Sequence, residues 1–193
     1  QIVGKEPQHL RTLAAAAIFS NIATVTQMAL ILGAVEPRLL SQMAWPLLAG
    51  FATTALYGAA LMLRAPTTAA SQIIKVGGAF DLKLALIMVL TLTGITFLSS
   101  VMLHHFGQVG VMLTATLSGF ADAHASIASI AALATSGQLS LEAASIPILL
   151  VVSCNALSKC LVAWVSGGRT FAAYVIAGQV LLTGAMWLGT LLR

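Results

Sequence analysis

EAASIPILLVVSCNALSKCLVAWVS, residues 142–166, decides the fold. The stretch is longer than the roughly 20 apolar residues a helix needs to cross a bilayer. Only Glu142, at its start, and Lys159 are charged within it. It lacks the strict polar–apolar alternation of a barrel strand, and a helix is then the way left to satisfy every backbone group inside lipid. Similar stretches lie near residues 12–34, 43–64, 81–104, 108–135 and 170–192. The chain therefore reads as all-α, an integral membrane bundle of about six transmembrane helices in a single domain over residues 1–193.

Composition agrees. Of the residues, 59% are hydrophobic and 7% charged, where a soluble domain carries about 25% charged residues. Mean hydropathy is +1.00. So few charges cannot cover an aqueous surface, and the lipid bilayer is the first partner implied. If the spans alternate, Lys5, Arg11, Arg64, Lys75, Lys83 and Arg193 share one side and Arg38 and Arg169 the other. The positive-inside rule then places both termini in the cytoplasm, in a bacterial inner membrane. The net charge of +4 reports orientation and lipid head groups, not nucleic acid. The chain starts at Gln1 with a polar segment, QIVGKEPQHLR, unlike a signal peptide, and reads as a piece of a longer protein. Cys154 and Cys160 are six helical residues, or about 9 Å, apart, beyond disulfide reach, and are expected to be free thiols.

Sliding the chain by 101 residues aligns the first two spans with the fourth and fifth. Phe19 meets Phe120, Asn21 meets Asp122, Pro46 meets Pro147 and Thr54 meets Asn155. At a shift of 90, Gly77-Gly78 meets Gly167-Gly168 and LTG at 92–94 meets LTG at 182–184. Three spans per unit is an odd number, so a second copy is expected upside down, as two inverted three-helix repeats (residues 10–100 and 108–192) with a site near the midplane between them.

The polar residues fall where such a site belongs. Asn21, Thr54, Asp122 and Asn155 lie near the centres of their spans, where a carboxylate costs about 2.5–3.5 kcal/mol on insertion scales. Asp122 sits in LSGFADAHASIASIAA, and the fourth span is longer than a bilayer needs. Two readings follow: a helix broken near Gly119 to Asp122 that exposes a helix end to an ion or solute, or an intact tilted helix packed through Ala121, Ala125 and Ser129. The charge favours the break. His124, two residues on, points about 200° away on a regular helix and shares a ligand with Asp122 only if the backbone is irregular. Lys159, one turn beyond Asn155, either pairs with Asp122 or snorkels to the head groups. Asp81 is expected to cap the third span, and His104 and His105 to lie at the interface. No phosphate loop, HExxH or serine with a base at motif spacing is present, so neither an enzyme nor a cofactor is expected.

The patterns AFDLKLAL (79–86), SGFADAHAS (118–126) and VVSCNALSK (151–159) resemble the membrane domain of unknown function that follows an MgtC/SapB-type domain in bacterial inner-membrane proteins. The resemblance runs from about Leu10 onward. Its members carry Gly-Leu-Ala-Asp-x-Asp-Ala and a later Asn-x-x-x-Lys, here Gly119 to Ala125 and Asn155 to Lys159. His124 replaces the second acid, and the MgtC-like half, through which relatives are associated with magnesium homeostasis, is not in this chain. The resemblance implies an MgtC-like partner, alongside a second copy of the chain as another. The expected function is a permease or channel for an ion or small polar solute. Asp122 would be charged ligand or proton acceptor, Asn21, Thr54 and Asn155 neutral ligands, and Lys159 counter-charge with His124 nearby. The rival is a non-transporting membrane regulator or scaffold whose polar residues serve packing.

Overall fold

The computed structural model describes residues 7–64, 82–120 and 122–192, and all of its elements are helices. Helix α1 (Pro7–Val35) ends because Pro37 lacks an N–H and disfavours helical backbone in the residue before it, so Glu36 turns to φ −146, ψ 87. The Glu36 carboxylate caps α2 (Pro37–Gln42), accepting from Arg38 N at 3.3 Å. Arg38 also grips it through its guanidinium, with Nε 2.9 Å from Oε1 and Nη2 3.2 Å from Oε2. That guanidinium holds the Glu36 carboxyl below the usual carboxylate range. Met43 links α2 to α3 (Ala44–Leu63). Pro46 lies in the first turn of α3, where a missing N–H costs little.

Helix α4 (Leu82–Gly119) is two arms. Gly107 adopts φ 58, ψ −145, and a Cβ on Gly110 would collide with the Met102 carbonyl oxygen. Residues eight apart on a straight helix are about 12 Å apart, so the chain reverses at Gly107, in a conformation glycine enters freely. Next come α5 (Ala123–Thr135), α6 (Leu141–Gly189) and a 3₁₀ turn, Thr190–Leu192. Ser140 caps α6 by accepting from Ala143 N at 3.2 Å. Helix α6 also reverses, at Gly168 (φ 75, ψ 165). Trp187 Nε1 donates to Ser153 Oγ at 3.1 Å across 34 residues, which a straight helix would hold about 51 Å apart.

Side-chain contacts fix the two ends of the bundle. At one end Arg11 donates to the Arg64 carbonyl at 3.0 Å and reaches the Tyr174 hydroxyl at 3.4 Å. At the other, Thr135 Oγ1 donates to the Val35 carbonyl at 2.9 Å and Gln42 Nε2 to Ser145 Oγ at 2.9 Å. A Cβ on Gly189 would press on Pro46 Cα at 2.7 Å, so the last turn of α6 also lies at this second end.

The expected membrane bundle is therefore present, with α1, α3 and both arms of α6 long and apolar enough to cross. The third expected span is the first arm of α4. The fourth, 108–135, is broken where the sequence indicated, into Val109–Gly119 and Ala123–Thr135, but it does not cross. Ser118 Oγ and Ser126 Oγ lie 2.8 Å apart although eight residues separate them, so the chain folds back on itself around Asp122. Thr135 returns to the Val35 end. The pair is a re-entrant helical hairpin. The described chain starts at the Arg11 end and finishes at the Glu36 end, and α3 and the first arm of α6 run in the same direction. Lys75, Gly77-Gly78, Ala121 and the Asp81 cap lie outside the described residues.

The bundle is apolar outside as well as in. Leu56 is 73% exposed and Val165 82%, while Ile18, Met28, Leu32 and Met186 are fully buried. This is the pattern of a protein whose solvent is lipid. Helices meet through small residues, among them buried Ala123, Ala125 and Ser129. Cys154 is buried and Cys160 half-buried, both as free thiols.

Candidate functional site

The hairpin tip builds one side of the site. A Cβ on Gly119 would lie 2.9 Å from both Cα and O of Val151, so only glycine lets the descending arm seat against α6. Beyond it Asp122 is extended, φ −151, ψ 110, and its Oδ1 accepts from His124 N at 2.8 Å and Ala125 N at 3.4 Å. The carboxylate thus satisfies two orphan donors of α5 and sits at the positive end of its dipole. His124 Nδ1 lies 3.4 Å from the same oxygen. The irregular backbone brings together two side chains that a regular helix would separate. Among the described residues, His124 Nε2 is buried and has no hydrogen-bond partner. Ser126 Oγ lies 2.6 Å from the Asp122 carbonyl oxygen in its own helix and 2.8 Å from Ser118 Oγ, the contact that ties the two arms.

Lys159 builds the other side. Its Nζ donates to Asn21 Oδ1 at 2.7 Å and to Thr24 Oγ1 at 3.3 Å, both on α1. Gln179 Nε2, from the second arm of α6, donates to the same Asn21 oxygen at 3.3 Å. The three residues order one another: the ammonium fixes Asn21 with its oxygen inward, and that oxygen fixes Gln179 with its nitrogen inward. Among the described residues, Asn21 Nδ2 and Gln179 Oε1 are buried and have no hydrogen-bond partner. The expected pairing of Lys159 with Asp122 is not made, and no ion pair within 4.0 Å joins them among the described residues. The physical reason is competition: Asp122 is held by its own helix, and the ammonium reaches polar oxygens on α1 instead of either the acid or the head groups.

A cavity of about 400 Å³ opens between α1 and the two arms of α6, with Lys159, Gln179, Ser20 and Ser158 on its lining. Ser158 Oγ donates to the Phe120 carbonyl at 3.1 Å, so the cavity and the hairpin tip share a wall. Of the residues named from the sequence, Lys159 lines this cavity and is bonded to Asn21 buried behind it, and Asp122 and His124 meet at the tip. Thr54 is buried on α3 with its hydroxyl unpartnered, and Asn155 is half-buried one turn before Lys159. Neither joins the Lys159 cluster. Thr24 and Gln179 were missed. Thr24 shares the face of Asn21 three residues on, and Gln179 is a lone amide inside an apolar span, the same signal that marked Asn21.

Fold and site together define a multi-pass α-helical membrane protein with a re-entrant hairpin beside a lysine-bearing cavity. The model of a family described as a domain of unknown function, DUF4010, matches residues 1–167, and the chain belongs to that family. No curated protein and no solved structure matches it.

Proposed function

We propose that the protein is a permease or channel for an ion or small polar solute, in a bacterial inner membrane. One observation carries the reading: a re-entrant hairpin brings non-helical backbone and a carboxylate to mid-depth, against a cavity that holds Lys159. Irregular backbone at that depth is tolerated where protein buries it or a water-filled path runs beside it, and transporters use such half-helix ends to meet their solutes. Intramembrane ionisable groups have function as their ordinary explanation. In this reading Lys159 and Gln179 form the polar wall of the path, and Asn21 holds both from behind. Asp122, whose described bonds all fall on Oδ1, keeps its second oxygen for a proton or solute. An MgtC-like partner belongs to the same proposal and rests on the sequence resemblance alone.

Vesicle swelling tests it. Proteoliposomes challenged with gradients of small salts and polar solutes should re-swell faster than protein-free vesicles for at least one of them. Lys159→Met should slow that recovery. Permeability equal to empty vesicles for every solute would leave the regulator or scaffold reading, which the use of Asp122 as a helix cap favours.

A further inference from the structure

We infer that the cavity beside Lys159 binds a small organic monoanion: one carboxylate on an apolar body a few carbons long. The inference names the solute class for the permease reading and rests on that reading only in taking the occupant as cargo.

The charge sets the first requirement. An ammonium has three donors, and Lys159 uses two of them on Asn21 Oδ1 and Thr24 Oγ1. Both acceptors are neutral, and among the described residues no carboxylate lies within 4.0 Å of Nζ. A cation so placed inside an apolar bundle lacks its counter-charge, and Lys159 lines the cavity. Asn21, which holds the ammonium from behind, is fully buried and neutral, so it leaves the charge of Lys159 uncompensated. The valence follows from the same group. One ammonium compensates one negative charge, and a dianion would leave its second charge uncompensated against apolar walls. A cation would meet Lys159 with no acid on the lining, because Asp122 lies at the hairpin tip and not on the cavity wall.

The walls set the body. Apart from its few polar groups the cavity is lined by Ala17, Val162, Ala163, Phe171 and Val175. Inorganic anions gain nothing from such walls, whereas an alkyl or aryl chain does. A volume of about 400 Å³ lies within the usual range for small-molecule sites. The chemistry is shared with the head group of an anionic lipid, so the test must separate a soluble carboxylate from a lipid.

The test uses the full chain in nanodiscs of zwitterionic phosphatidylcholine, titrated calorimetrically with butyrate and with its uncharged isostere butyramide. Butyrate should bind saturably and butyramide about tenfold or more weakly, the scale of one lost bond to a charged donor. Lys159→Met should weaken butyrate to the same degree, and Lys159→Arg should retain it. Val162→Trp fills the cavity from an exposed position without touching the Lys159 bonds, so it should abolish binding in a folded protein even if Lys159→Met does not fold. Equal affinity for acid and amide, or butyrate binding indifferent to Lys159→Met, overturns the proposal. Loss of butyrate binding when phosphatidylglycerol is added to the discs would give the lysine to a lipid phosphate and overturn it as well. Butyrate binding without flux would sink the permease reading and keep the site, and flux of other solutes without butyrate binding would do the reverse.

Discussion

Asp122 serves its own helix before it serves any solute, and the two duties separate by substitution. Asn is as good an N-cap as Asp, while Ala removes the cap at a cost of about 0.5–2 kcal/mol. Unfolding in detergent should therefore show Asp122→Ala destabilised by that amount and Asp122→Asn within about 1 kcal/mol of wild type, the scale of a charge–dipole term. Flux then reports charge alone: Asp122→Asn should reduce it tenfold or more, and wild-type flux in that variant would confine the residue to folding. Glu36 is a cap of a different kind, tied to Arg38 outside the spans. Its folded pKa lies below the reference value of 4.5, so its contribution is complete above that reference and is lost as pH falls through the lowered value. Melting temperatures of wild type and Glu36→Gln should converge as pH falls through the lowered value; a gap that stays constant there would show that the Arg38 contact adds nothing. At this scale much of the site was legible, because a polar atom deep in an apolar run announces itself. Asn21, Asp122 and Lys159 did so, and Gln179 did so unheeded. Which of them would touch was not legible, since Lys159 has a long flexible stem and its partner depends on the rotation of α1, which no spacing in the sequence fixes.

Two glycines, Gly119 and Gly168, decide how the helices turn and pack, each for a different reason, and Gly184 is a control that does neither. Gly119 touches the Val151 backbone, where an added methyl at 2.9 Å has no flexible side chain to displace. Gly168 has φ 75 with open space around it, so an added methyl is strained by conformation rather than by contact. Gly184 has ordinary backbone and nothing within 4 Å. Alanine should cost about 1–3 kcal/mol at Gly119 through overpacking and about 1–2 kcal/mol at Gly168 through the left-handed backbone. At Gly184 it should be neutral or stabilising by up to about 1 kcal/mol. Equilibrium unfolding in detergent orders the three, and a Gly184→Ala variant as damaged as Gly119→Ala would refute the account of close packing. The position of the break at Asp122 could be read from Gly119 and the acid together, because both oppose helix continuation in lipid. Its angle could not. A kinked crossing and a re-entrant hairpin use the same residues, and the choice is made by tertiary contacts such as Thr135 with Val35.

Orientation turns on that one angle, because converting a crossing into a hairpin changes the parity of everything after it. With six crossings, Arg169 joins Arg38 on the outside and the 136–140 loop is cytoplasmic. With the hairpin, Arg169 moves to the end that holds Arg11 and Arg64, and the 136–140 loop joins Glu36, Arg38 and Glu142. The described charges then separate more cleanly: three arginines at one end, two acids and one arginine at the other. Over the whole sequence the positive-inside rule counts six basic residues against two in either topology, because Arg193 changes end when Arg169 does, so it does not choose between them; on that six-to-two bias we propose that the Arg11 end is cytoplasmic. Single cysteines decide between the topologies in a background carrying Cys154→Ser and Cys160→Ser. A membrane-impermeant maleimide added to intact bacteria should label Gln138→Cys, in the loop after the hairpin, and should reach Thr170→Cys, beside the α6 turn, only after permeabilisation. Six crossings require the opposite result at both positions, so labelling of Thr170→Cys from outside with protection of Gln138→Cys would restore the crossing fourth span and discard the re-entrant hairpin.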